Sequence, residues 1–357
     1  TVTVPKEALK VYDSEGYGTY IAEAGDYYLA AGKNAHEALN HILSAKGKTA
    51  ADGMTADGDA AMVFTYTQEQ TDADTYAVSA VTGEKIENQM TDVDIRFYDA
   101  DFAYLSRSDW TGAWPALYAE GSFEAPEELL ADLAVPVPEE NADAEMPVFE
   151  TVTSESGELM LADLIGADFD DPRWEDLLNQ AGKKELYDLV RHSGYGTYAV
   201  SSIGLPGTIQ KDGPAGISST LAGGNLSCMA YPPEVVVAST WNLDLVEEFG
   251  RLIGEDSLSS GVAVWYAPAM NIHRTARSGR NFEYYSEDAF LSGKMGAAEV
   301  AGVQAMGGIV TIKHFALNDQ ETNRIGGAVF SNEQAAREIY LKPFELAITE
   351  GNANGIM

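Results

Sequence analysis

The sequence predicts a mixed α/β and β chain, in which the first half of a (β/α)8 TIM-type barrel is preceded by the end of a β-sandwich. Three observations predict it. Short strand-like or turn segments near 207–211, 262–266 and 309–312 alternate with helical patterns near 241–253, 287–306 and 332–350, and such alternation implies parallel pairing. The run from Ile309 to Ile312 follows Gly307 and Gly308 and passes directly into Lys313 and His314, so polar chemistry starts where the strand stops. In barrels that is the end where functional groups gather. Finally, Tyr20 and Ile21 lead through Ala24, Gly25 and Asp26 into an apolar run from Tyr27 to Ala31, which reads as a β-hairpin. A lone hairpin is marginal in water, so residues 1–45 are expected to finish a larger sandwich.

Taken in order, Leu39, Ile42 and Leu43 give a short helical stripe, and residues 46–134 mix small, polar and aromatic positions as irregular chain with short strands. Residues 135–171 read as a linker, because Pro136, Pro138, Glu139, Glu140, Asp143, Glu145 and Pro147 favour solvation over packing. From 172 to 357 the period changes to helical faces, with Trp174, Leu177 and Leu178, then Leu186, Leu189 and Val190, on either side of Gly182. Ser331 with Gln334 is expected to cap the last helix. About 185 residues follow Pro172, whereas a complete barrel takes about 250, so only part of one is expected.

Composition limits the function. The chain has 357 residues, 45% of them hydrophobic, enough for a sizeable core. With 56 acidic against 22 basic residues its net charge is −34, a field that repels nucleic acid and anionic membrane. Cys228 is the single cysteine, which excludes an internal disulfide framework. No apolar run of membrane length and no signal peptide is evident, and a cytoplasmic protein is expected. His36, His41, His192, His273 and His314 form no metal-binding cluster, and the glycines of 204–207 and 223–224 lack a phosphate-loop pattern. Neither a metal nor a cofactor is expected.

Three stretches carry chemistry. In Gln210 to Ile217, Asp212 stands at a strand mouth before a Gly-Pro turn, where a carboxylate can start a turn or accept two hydroxyl hydrogen bonds from a vicinal diol. In Asn271-Ile272-His273-Arg274 leading to Ser278 to Asp288, Arg280 follows Gly279 and can aim its fork of donors into a pocket or bridge to Glu283 or Asp288. Lys313 and His314 can likewise bind a ligand or satisfy neighbouring carboxylates. What favours a site is that one acceptor and three donors fall at successive strand ends.

These stretches, Asp212-Gly213-Pro214, Gly279-Arg280-Asn281-Phe282-Glu283 and Lys313-His314-Phe315 with Asn318, Gln320 and Glu321, together resemble the catalytic barrel of family-three glycoside hydrolases, the β-glucosidase family. The resemblance implies that Asp212, Arg280, Lys313 and His314 grip hydroxyls of the non-reducing-end sugar of a β-linked oligosaccharide or aryl β-glycoside. Ser218 stands where many relatives carry an arginine. Residues 1–45 are similar to the end of the family's fibronectin-III-like sandwich, in the permuted order that places the sandwich before the barrel. The implied reaction is retaining hydrolysis by a nucleophile and an acid/base about 5 to 5.5 Å apart. On the family pattern the nucleophile lies beyond Met357 and the acid/base before Thr1, which implies an inert fragment with no catalytic carboxylate of its own, associating with its missing barrel half or with a second copy. Ser108-Asp109-Trp110 imitates the nucleophile motif outside its context. Glu283, Glu287 and Asp288 are expected to be structural, opening a helix. Two other readings stand beside this one: a Schiff base at Lys313 in an aldolase-like barrel, and a non-catalytic sugar-binding or scaffold module.

Overall fold

A computed structural model of the chain describes residues 3–102, 124–134, 159–218, 226 and 228–357. The Ser108 to Trp110 motif, residues 135–158 of the expected linker and the Gly223–Gly224 pair lie outside them. The chain divides into two compact units, one of Thr1–Gly121 with Phe330–Glu338, the other of Ser122–Val329 with Ile339–Met357.

In the first unit β1 (Val11–Asp13) pairs antiparallel with β2 (Thr19–Ile21), and β3 (Gly25–Ala30) with β4 (Val63–Gln68). The hairpin expected between Tyr20 and Ala31 is therefore wrong, because both its strands have other partners. The turn that forms lies earlier, where the Asp13 carboxylate accepts from the amides of Glu15, Gly16 and Tyr17. Helix α1 (Ala35–Ala45) forms where the stripe is expected, but it buries Asn40 and His41 while Leu39 is exposed; it is capped by Asn34, whose side chain accepts from the amide of Glu37. Tyr12 is fully buried here and Arg337 lies 4.6 Å from its ring centroid.

In the second unit, α2 (Glu127–Asp132) precedes a small core of Leu164, Leu177, Ala181, Val200 and Ile203. Leu164 thus takes residues 159–171 out of the expected linker. Helices α3 (Arg173–Gln180) and α4 (Lys183–His192) follow, as the periodicity predicts. The main sheet runs β5 (Gly196–Thr197), β6 (Thr208–Asp212), β7 (Val262–Tyr266), β8 (Ile309–Ile312) and β9 (Gly355–Ile356). β5 joins antiparallel and the other four are parallel, in sequence order, which is the arrangement of half a barrel. Trp265, Val310 and Ile312 are buried and pack with Met270, Met295, Val300 and Phe344 into the main core.

Between the strands lie α5 (Glu234–Ala238), α6 (Leu243–Ser260) and α7 (Ala289–Ala305). On α6 the buried positions Val246, Phe249, Gly250, Ile253, Gly254 and Ser257 follow helical spacing, closed at the C-terminus by Gly261 at φ 72°. Glycines let α6 and α7 meet backbone to backbone: a Cβ on Gly302 would stand 2.1 Å from the Glu247 carbonyl oxygen, and one on Gly250 2.3 Å from that of Glu299. Alanine at position 302 would gain about 1 kcal/mol of helix propensity but lose more to overlap. Gly302→Ala should therefore lower stability by about 2 kcal/mol net, read from the urea midpoint.

The last expected helix is broken into α8 (Glu333–Ala335), a π turn (Ala336–Tyr340) and α9 (Lys342–Thr349). Pro343 has no amide with which to continue the ladder. Its cap is Asn332, whose side chain accepts from the amide of Ala335 at 2.7 Å, and not Ser331, whose hydroxyl donates to the Asn332 carbonyl.

Candidate functional site

The four residues singled out by the sequence are brought together at the C-terminal ends of β6, β7 and β8. Asp212 is the last residue of β6, and its carboxylate accepts from the Gly213 amide at 2.8 Å. Gly213 is confined to glycine: at φ 128° a Cβ would stand 1.9 Å from the Gly216 carbonyl oxygen. Lys313 follows β8 directly and is 1% exposed. Its ammonium group is bonded to Asp212 and lies 3.3 Å from Glu283, so two carboxylates offset one buried cation.

Arg280 reaches the same place from the loop after β7. Its Nε bonds Glu283 and its Nη2 lies 2.9 Å from His314 Nε2. Glu283 thus joins Arg280 to Lys313. It sits in a short 3-10 turn (Asn281–Glu283) and opens no helix, which corrects the expected role, whereas Asp288 does cap α7. The backbone of Lys313 and His314, joined by a cis peptide bond, is held by the neighbouring segment. The amide of Lys313 donates to the Pro268 carbonyl at 3.0 Å, and the Asn271 side chain accepts from the His314 amide at 2.8 Å and donates to its carbonyl at 2.9 Å.

An arginine cannot accept, so His314 Nε2 must, and the ring proton belongs on Nδ1, 3.3 Å from the Tyr284 hydroxyl. That hydroxyl in turn receives the Asn318 amide at 3.1 Å. Burial, with the positive charges of Arg280 and Lys313, pushes His314 down to about 3. Among the five histidines of the chain, this one should show a neutral Nδ1–H ring by imidazole NMR with no titration from about pH 8 to 4.5. Assignment against His314→Gln checks it, and a midpoint near 6.5 would refute it.

Further along the same loop Asp319 is buried beside Arg274, 3.4 Å away, and burial lifts its carboxyl to about 6. Glu321 lies 3.8 Å from Arg280 and 3.1 Å from Arg324. Chemically this is an acceptor, Asp212, set against cationic and amide donors, and it suits a neutral ligand rich in hydroxyl groups.

Glu234 and Glu299, both fully buried, were not apparent as a feature from sequence. Burial pushes Glu299 up to about 8, opposed by the Tyr285 hydroxyl, and lifts Glu234 as well. The folded-state value exceeds the unfolded one, so the stability it contributes is whole below about pH 4.5 and is lost as pH rises through about 8. Glu299→Gln should consequently lose less stability than the wild type between about pH 5 and 9, as measured by urea midpoints. Parallel pH curves would contradict this.

Comparison with known proteins follows the same residues. The family description "Glycosyl hydrolase family 3 N terminal domain" matches residues 142–357. Beta-glucosidase A of Butyrivibrio fibrisolvens is 42% identical over 176 residues, covering 49% of this chain and 21% of that protein. Beta-glucosidase B of Emericella nidulans is 42% identical over 154 residues, 43% of this chain and 18% of that protein. The chain thus spans about a fifth of the length of these curated relatives. A crystal structure of a beta-glucosidase from Paenibacillus barengoltzii shares the fold over 99% of this chain and 35% of its own, at a TM-score of 0.58 and 24% identity.

Proposed function

This chain belongs to glycosyl hydrolase family 3, and on that premise we propose that it supplies the sugar-gripping half of a β-glucosidase barrel. In this reading Asp212 accepts from two adjacent hydroxyls of a terminal β-D-glucosyl residue. Lys313, Arg280 and His314 donate to or orient the others. The whole protein hydrolyses a β-linked oligosaccharide or aryl β-glycoside with retention, through two carboxyl groups about 5 to 5.5 Å apart. The observation that carries the reading is the unbroken line Asp212, Lys313, Glu283, Arg280, His314 across three parallel strand ends.

The nucleophile and the acid/base are, in this proposal, contributed by sequence outside these 357 residues. Asp212, Glu283 and Glu321 support that assignment, because each is engaged by Lys313, Arg280 or Arg324. The chain alone should bind glucose and release no nitrophenol from nitrophenyl β-glucoside. Calorimetry and a colour assay on one sample test both halves. No glucose binding would sink the proposal, and turnover abolished by Asp109→Asn would assign the nucleophile to Asp109.

Residues 1–45 are taken as the end of a fibronectin-III-like sandwich, a reading supported by the antiparallel β1–β2 pair. Exposed Ile356 on β9 supports association with further barrel strands or a second copy, against which a compact monomer in light scattering would count. A Schiff base at Lys313 is not favoured, since two carboxylates engage its amine. Borohydride trapping with a carbonyl substrate should give no adduct.

A further inference from the structure

Two acids have no part in gripping a sugar, yet both are fully buried beneath the groups that do. Glu234 opens α5 and Glu299 lies in the middle of α7. Glu234 Oε1 accepts from the Ala269 amide at 2.9 Å, and Glu299 Oε2 accepts from the Tyr285 hydroxyl at 2.5 Å. The second oxygen of each, Glu234 Oε2 and Glu299 Oε1, is buried with no hydrogen-bond partner among the described residues. The two acids thus hold the two ends of one stretch of chain, from Ala269 to Tyr285. Burying a carboxyl group with one oxygen left open is costly.

The partners of these acids lead straight to the site. Ala269 bridges in parallel to Lys313, flanked by the Pro268 carbonyl that receives the Lys313 amide and by the Met270 amide, 2.5 Å from the Lys313 carbonyl. Next in that segment is Asn271, which closes on both sides of His314. Tyr285, for its part, adjoins Tyr284, the partner of His314 Nδ1, and lies two residues from Glu283. One acid therefore holds the segment that fixes the Lys313 and His314 backbone. The other holds the turn that fixes their side chains.

Resting on the sugar-gripping reading of the site, we propose that Glu234 is a brace for it, a positioning residue for Lys313 and His314 that acts through Ala269. Removing the acceptor at position 234 orphans the Ala269 amide, whereas an amide side chain there keeps the acceptor.

The test is glucose calorimetry on the 357-residue chain with urea unfolding for Glu234→Gln, Glu234→Leu and Glu234→Asp. Glu234→Gln should bind within about twofold of wild type and Glu234→Leu about tenfold more weakly or worse. Wild-type affinity in the leucine variant, or an equal loss in the glutamine variant, would overturn the brace. Should the leucine variant fail to fold, Glu234→Asp carries the test. Withdrawing the carboxyl by one methylene should cost about threefold or more in affinity, and no change would count against the proposal.

Amide exchange supplies a readout independent of sugar. Exchange at Lys313 and His314 should be about tenfold faster or more in Glu234→Leu, or in Glu234→Asp if that variant is used, while the α6 amides are unchanged. Equal exchange at Lys313 and His314 overturns the brace, whereas a wild-type chain that ignores glucose overturns only the sugar-gripping reading.

Discussion

Lys313→Met should both destabilise the chain and abolish its uptake of glucose. The ammonium group is 1% exposed and stands between Asp212 and Glu283. Methionine fills the volume but leaves two carboxylates with one cation fewer. Breaking a buried pair from one side costs about 3 to 5 kcal/mol, and the lower end applies here because Arg280 still reaches Glu283. Urea unfolding should therefore show a loss of about 3 kcal/mol, and calorimetry no heat of glucose binding. In a double-mutant cycle, adding Asp212→Asn should cost less stability than it does alone, because the pair acts as one unit. A stability change within about 0.5 kcal/mol would mean that the ion pair is a surface-like contact of little weight.

Asp212→Asn should separate binding from folding. Its side chain is 26% exposed, and Lys313 keeps Glu283 at 3.3 Å when the charge at 212 is removed. The expected stability loss is at most about 1 kcal/mol. Binding should suffer more, because a carboxylate can accept from two hydroxyls and an amide oxygen replaces only half of that. Losing one of two charge-assisted hydrogen bonds, at about 1.5 kcal/mol, corresponds to a roughly tenfold weaker Kd for glucose. Unchanged glucose affinity would remove Asp212 from the sugar site.

The difference between these variants bears on what a sequence can reveal. Asp212, Arg280, Lys313 and His314 were legible because each ends or follows a strand, and strand ends in a parallel sheet converge whatever their separation along the chain. The expected β7 and β8 segments coincide with the observed strands, and the β6 segment lies within one residue of its strand. Asn271 and Tyr284 were not legible. They meet His314 across 43 and 30 residues, and nothing local marks an asparagine that will clamp a distant backbone. Glu283 was visible but misread, since a carboxylate three residues after an arginine looks like a local pair until its other oxygen is found near Lys313.

The hairpin failed for the opposite reason. A good turn signal at Gly25 outweighed the fact that β3 pairs over its whole length with β4, almost forty residues later. Register with a distant strand is set by side-chain patterns on both partners, and β4 lies in a stretch without a clear period. The Ser331 cap missed by one residue because serine and asparagine are both good caps and stand side by side. Glu234 and Glu299 had a faint signal. Glu234 precedes three valines and Glu299 lies among alanines and a valine, but an acid in such a run is more often a solvated edge than a buried support.

The ion pairs at the site have a further consequence for what can enter it. Asp212 and Glu283 carry two negative charges and Lys313 and Arg280 two positive ones, so this cluster is electroneutral inside a chain of net charge −34. If the site grips a sugar as proposed, a neutral one should approach through that field without a penalty and bind with an affinity insensitive to ionic strength. A uronic acid or a sugar phosphate meets long-range repulsion that no uncompensated cation at the site repays, and added salt relieves it only in part. On the proposed reading, the same carboxylates that hold Lys313 and Arg280 in place would also act as a filter on ligand charge.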